Sequence, residues 1–376
     1  MYNRYKTSLQ TEMSSNQSPK MEYNFLGNSG LKVSNICLGT MTMGTSAISP
    51  FFSADNPSQM NEADSHQMLD RFAELGGNFL DTADIYSAGG SEEIVGNWLS
   101  KNERERFIVA TKVRFGWNRT EPNGTGLSRK RIMSCIDNSL RRLKTDYVDL
   151  YQIHCWDEAV PIKETLGALN DLVRCGKVRY VGGSNLTGWQ LQKITDLCEK
   201  MGFSQFISLQ QQYNLLTREN EFEVVDVCKN EGIGIIPWSP LKGGLLTGKY
   251  KRHAKVPEKT RMGYNQQVKI APEYQKVMES DRYWNLVKVL DDISKETGKT
   301  VAQVSLRWLL QKECVPSVII GATKISQVED NIGASTGWSL TADQMKQLDE
   351  ASKPDLPYPY NFLKNMNADR CNKSKI

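Results

Sequence analysis

The 376-residue sequence predicts a single (β/α)8, or TIM, barrel. Three observations lead there. Short apolar segments alternate with longer amphipathic ones; eight such units fill about 300 residues; and no shift in composition marks a second domain. Strand–helix alternation of this kind implies parallel strands, because parallel neighbours need a long crossover connection rather than a tight turn. Eight units of this length fit a closed barrel better than an open sheet.

The elements follow in order. Residues 1–20 are polar, rich in Ser, Gln and Asn, and lack the apolar stretch of a secretory signal. They read as a disordered extension, with Met21 as an alternative start and organelle targeting as the rival reading; residues 21–376 form the barrel domain. Phe25–Leu26 and Leu31–Val33 flank GNSG, which predicts a β-hairpin ahead of the first barrel strand. Barrel strands are expected at Ile36–Leu38, Phe79–Leu80, Phe107–Ala110, Tyr147–Ile153, Val178–Val181, Phe206–Leu209, Ile233–Pro237 and Val318–Ile320. Among the helices, Arg129–Leu143 is clear: Ile132, Ile136, Leu140 and Leu143 share one face and Ser128 is placed to cap it. Capping boxes at Thr300 with Gln303, and at Thr341 with Gln344, open two further helices. Leu241 to about Ser280 shows no regular pattern and reads as a long structureless connection, functional or mobile.

Composition narrows the function classes. Apolar content of 39% and charge of 24% suit a globular protein with a real core. No apolar run is long enough for a membrane span. A net charge of +4 gives no reason to expect nucleic acid. The eight cysteines form no C-x-x-C pair, so reduced thiols and a cytoplasmic location are expected. No second strand-end histidine accompanies His154, and no metal site is expected.

The chemistry collects at strand ends. Asp81 ends the second barrel strand, Tyr86 lies five residues beyond it, Lys112 ends the third and His154 the fourth. In a barrel these positions surround one mouth. A free tyrosine holds its proton near pH 10, too tightly for a good acid. A nearby lysine favours the phenolate, and a carboxylate keeps that lysine charged. A histidine can orient the substrate oxygen. Together they can protonate a carbonyl. Taken singly, each has a plainer reading: Asp81 as a loop cap, Tyr86 as packing, Lys112 as a solvated strand end, His154 as a core histidine.

DTADIY, VATK and QIH, in that order and each at a strand end or the loop after it, resemble the aldo-keto reductase superfamily through nearly the whole chain after residue 20. The PWSP-GLLTGKY pattern is most similar to its longer-chain branch, with aryl-alcohol dehydrogenase-like and potassium-channel β-subunit-like members. The resemblance implies reduction of aldehydes or ketones by NADPH, with Asp81, Tyr86, Lys112 and His154 as the catalytic group and a small carbonyl compound as partner. The Rossmann fingerprint is missing, so other segments must hold the coenzyme. By the resemblance, Ser184, Asn185 and Gln210 hold the nicotinamide carboxamide, Trp238 stacks on its ring, and Ser239 and Leu241 line the pyrophosphate. Lys249 and Arg261 match cations for the 2′-phosphate. Gln327 and Asn331 match adenosine contacts, with Lys324 a phosphate partner beside them. Two rival readings remain: a channel-associated or other regulatory subunit that keeps a slow reductase site, and a non-redox barrel enzyme. Substrate choice falls to the loops 41–61, 155–160 and 241–280, where Phe51, Phe52 and Trp156, with Trp117 nearby, are candidate pocket walls.

Overall fold

Eight parallel strands pair in the order Val318–Ile320 (β10), Ile36–Gly39 (β3), Phe79–Asp81 (β4), Ile108–Val113 (β5), Val148–Ile153 (β6), Val178–Ser184 (β7), Phe206–Gln212 (β8) and Gly234–Trp238 (β9). The end strands β9 and β10 come together, so the sheet is a nearly closed barrel with helices outside it. This computed structural model describes residues 21–116 and 121–368; the expected extension at 1–20 and Trp117 lie outside them.

Alternation along the strands sorts the barrel interior into two levels. Phe79, Ala110, Leu150 and Ile236 join Leu26, Val33, Cys37 and Ile319 in one apolar cluster in the lower barrel. Two residues further along the same strands stand Asp81, Lys112, Gln152 and Trp238. A period of two therefore delivers the polar set to the carboxyl end, above an apolar floor. The opposite faces feed a second cluster between strands and helices, which includes Val109, Val113, Tyr151, Ile132 and Ile136.

The hairpin pairs Tyr23–Phe25 (β1) with Lys32–Ser34 (β2) in antiparallel register. Leu26, expected in a strand, instead opens the hairpin's connection, its amide donating to the Leu31 carbonyl at 2.8 Å, and its side chain is fully buried in the lower barrel cluster. Gly27 (φ 57°) passes so close to β8 that a Cβ would lie 2.2 Å from the Ile207 carbonyl oxygen. The hairpin thus stops the end opposite the mouth. The helix Arg129–Leu143 forms as expected, with Ser128 Oγ accepting from the Arg131 amide at 3.3 Å. Both capping boxes form.

Two expectations need correction. Strands β5, β7 and β8 run beyond their apolar runs to Val113, Ser184 and Gln212, because ladder pairing continues through polar residues that face the mouth. The connection 241–280 is not structureless. It holds the turn Lys242–Thr247 and helices Arg261–Gln267 and Glu273–Met278, gathered on a small core of Leu245, Tyr250, Met262 and Tyr283. Its apolar residues are too widely spaced to show a helical period, yet they meet in space.

Candidate active site

Lys112 is the centre of the mouth. Its side chain is fully buried, and Nζ donates to Asp81 Oδ1 at 2.5 Å, to the Thr82 carbonyl at 2.8 Å and to Tyr86 Oη at 3.2 Å. Strand register brings these groups together: Asp81 pairs with Ala110 across β4 and β5, two residues before Lys112 on the same face. Tyr86 sits at the start of a tight turn whose next residues, Ser87 (φ 49°) and Ala88 (φ 57°), are left-handed. His154 follows the last residue of β6, and its ring meets that of Tyr86 edge-on with centroids 6.0 Å apart. The structure therefore brings together all four strand-end candidates.

Electrostatics sets the resting protonation. Burial opposes the charge on Lys112, but Asp81 and Tyr86 outweigh it, and its pKa is raised. The Tyr86 hydroxyl lies against Lys112 away from solvent, and that loss of hydration raises its pKa although Lys112 pulls it down. The lysine alone would have lowered it, as expected; burial reverses the net direction. His154 is held well below its ordinary pKa by burial and by Lys112, so its imidazole is neutral, and Nδ1 has no hydrogen-bond partner among the described residues. The site thus holds a protonated phenol, an ammonium and a neutral imidazole around one opening.

Gln152 is a member that sequence reasoning missed. It is fully buried, and its Nε2 donates to Asp81 Oδ2 at 3.1 Å. Gln210, 3% exposed, donates to the same oxygen at 2.8 Å. Together with Lys112 they supply the carboxylate with three donors. The signal lay in QIH, two residues before His154, where alternation turns Gln152 inward. Asp84 was also missed. Among the described residues neither of its buried oxygens has a well-formed hydrogen bond, and Arg131 stands 3.8 Å away. Burial first, then Glu92, push its carboxyl up to about 8, against Arg131, Arg142 and the Cys135 thiol.

The other candidates fall in two places. At the mouth, Ser184 ends β7; Asn185 (φ 54°) donates to Ser184 Oγ and to the His154 carbonyl, both at 2.9 Å, and its Oδ1 accepts from Trp238 Nε1 at 3.2 Å. Trp238 ends β9, and Ser239 (φ 51°) and Leu241 follow it. Beyond them the chain makes consecutive left-handed residues at Lys242, Gly243 and Gly244 (φ 45°, 62° and 97°), a turn that suits an anion. Lys249 is an exposed residue whose ammonium lies against Gly244; lost hydration and the like charge of Arg261 lower its pKa. Among the described residues neither cation forms an ion pair with a carboxylate. Further round the rim, Lys324 immediately precedes the helix Ile325–Ile332, the Gln327 side chain accepts from the Thr323 amide at 2.9 Å, and Asn331 is buried. The left-handed turn, the half-buried Trp238 at the mouth and two cations that meet no carboxylate among the described residues fit the phosphates and ring of a nicotinamide dinucleotide.

Aromatic rings border Tyr86 and His154: Phe52 lies 6.4 Å from Tyr86 and Phe115 lies 4.8 Å from His154, between centroids. Phe51 is half-buried beside Phe52. Trp156 packs edge-on against Trp189 at 5.5 Å, beside a cavity of about 490 Å³ that Arg114, Cys155, Asn185 and Gln190 also line.

Comparison with known proteins is consistent over the whole barrel. The model of the Aldo/keto reductase family matches residues 35–353. Versiconal hemiacetal acetate reductase of Aspergillus parasiticus is 33% identical, over 90% of this chain and 99% of that protein. A provisionally named aryl-alcohol dehydrogenase of Saccharomyces cerevisiae is 32% identical over 88% and 96%. Norsolorinic acid reductase B of Dothistroma septosporum is 30% identical over 92% and 85%.

Proposed function

Because the chain belongs to the aldo/keto reductase family and is an oxidoreductase acting on carbonyls, we propose that it reduces aldehydes or ketones to alcohols with NADPH, Tyr86 serving as the acid. The observation that carries this reading is Lys112 Nζ, in contact with both Asp81 at 2.5 Å and Tyr86 at 3.2 Å. A bound nicotinamide supplies the hydride to the carbonyl carbon. Tyr86 donates its proton to the carbonyl oxygen as negative charge grows there. His154, neutral, donates one hydrogen bond to that oxygen and fixes its position. Lys112 stabilises the phenolate left behind, which solvent reprotonates; Asp81 keeps Lys112 charged and aimed, and Gln152 holds Asp81. Ser184, Asn185, Gln210 and Trp238 orient the nicotinamide in this reading, with Ser239 and Leu241 beside the pyrophosphate and Lys324, Gln327 and Asn331 at the adenosine end.

Lys249 and Arg261, without carboxylate partners among the described residues, support NADPH over NADH, since the 2′-phosphate adds about two negative charges. Loss of either cation should weaken NADPH about ten- to a hundredfold and leave NADH nearly unchanged. Fluorescence titration of Lys249→Ala and Arg261→Ala with both coenzymes decides it; equal weakening of the two would place these side chains elsewhere. Free thiols at the seven described cysteines support a cytosolic setting. Among the described residues, no helix is long and apolar enough to cross a membrane. NADPH oxidation across aryl, aliphatic and sugar carbonyls tests the reaction itself, and inactivity toward all of them would count against it.

A further inference from the structure

Lys242 is a buried cation that the proposed reaction leaves without a task. It is 8% exposed, at the first position of the left-handed turn that follows β9. Its Nζ donates to Thr217 Oγ1 at 2.9 Å and Gln212 Oε1 at 3.3 Å, both neutral oxygens, and stands 5.4 Å from the centre of the Tyr274 ring. It forms no ion pair among the described residues. Glu219 and Glu273 act on it only at longer range, and burial lowers its pKa despite them. The other buried ammonium, Lys112, has Asp81 in direct contact.

A charge withdrawn from water is costly unless an opposite charge meets it. Among the described residues, none meets Lys242 as a direct counter-ion. Its surroundings point to where one would come from. Ser239 and Leu241 lie just before it, Gly243 and Gly244 continue the left-handed turn, and a Cβ at Gly243 would lie 2.7 Å from the Tyr274 ring. Tyr274 thus covers the turn on one side and its ring faces the ammonium.

We infer that Lys242 is the counter-ion of the diphosphate bridge of a dinucleotide bound at this turn. The inference rests on the proposed binding of a nicotinamide coenzyme at the mouth. It assigns Lys242 a different phosphate from Lys249 and Arg261. Those cations discriminate NADPH from NADH; Lys242 serves both, because both carry the same diphosphate.

Lys242→Gln keeps amide donors for Thr217 and Gln212 but removes the charge, and Lys242→Arg keeps the charge. Each is titrated by fluorescence with NADPH and with NADH, and its melting temperature is read without coenzyme. Lys242→Gln should weaken both coenzymes by the same factor, about ten- to a hundredfold. Lys242→Arg should recover most of that loss. Without coenzyme, Lys242→Gln should melt no lower than the wild type, since a buried unpaired charge has been removed. Wild-type affinity of Lys242→Gln for both coenzymes overturns the inference. Weakening confined to NADPH also overturns it, moving Lys242 to the 2′-phosphate. A lower melting temperature with unchanged affinity makes Lys242 a purely structural residue. Should the wild type bind neither coenzyme, the reading beneath the inference fails and the inference falls with it.

Discussion

At the scale of single residues, the site is a set of buried charges held in fixed protonation states. Lys112 owes its charge to Asp81, and Asp81 its orientation to Gln152, Gln210 and Lys112. Lys112→Met should impair turnover strongly, because the phenolate formed at Tyr86 would lose its cation. Asp81→Asn should be milder, acting through the lysine; steady-state rates on one aldehyde rank the two, and the reverse order would contradict this chain of support. Asp84 makes a separate prediction about stability. Folding raises its carboxyl from 3.8 to about 8, so between these values the native state keeps a proton the unfolded chain has lost. Its contribution to stability therefore falls as pH rises through that window, by at most about 1.4 kcal/mol per pH unit. Asp84→Asn should lose less stability than the wild type as pH rises through that window, giving a flatter dependence on pH. Urea midpoints of both proteins at several values across the window measure this, and parallel slopes would show that Asp84 is ionised in the native state.

At the scale of elements, legibility followed periodicity. The helix Arg129–Leu143 and its Ser128 cap could be read directly, since an apolar stripe and a cap are local patterns. Ser128→Ala should cost about 0.5–2 kcal/mol, measured by chemical unfolding; no loss would mean that the cap is replaced by water. The strand-end residues Asp81, Lys112 and His154 were equally plain, because each stands alone after an apolar run. Gln152 was not, being hidden inside a strand where polarity looks like an interruption. The helices within 241–280 were hidden for a different reason. They are short, and what fixes them is contact with Tyr283 and Leu245 rather than their own pattern. The electrostatic balance at Tyr86 was legible only in part: the lysine could be foreseen, but the depth of the hydroxyl could not.

At the scale of the whole molecule, the barrel divides its labour along the axis. The hairpin and an apolar layer close one end, and the polar layer two residues further along each strand opens at the other. Leu26 belongs to the closed end. Leu26→Ala should destabilise the fold by about 2–5 kcal/mol while leaving the rate of the folded fraction intact. A specific loss of turnover in well-folded Leu26→Ala protein would mean that the two ends are coupled. The proposed proton donor, Tyr86, stands at the open end. The most direct test of that role is single-turnover reduction of a reactive aldehyde by Tyr86→Phe with saturating NADPH, followed by stopped flow. The substitution removes the donor and keeps the ring, so hydride transfer should slow by about 10²–10⁴-fold while NADPH affinity stays at the wild-type level. A Tyr86→Phe enzyme that transfers hydride at a near-normal rate would contradict the account and make His154 the next candidate for the acid.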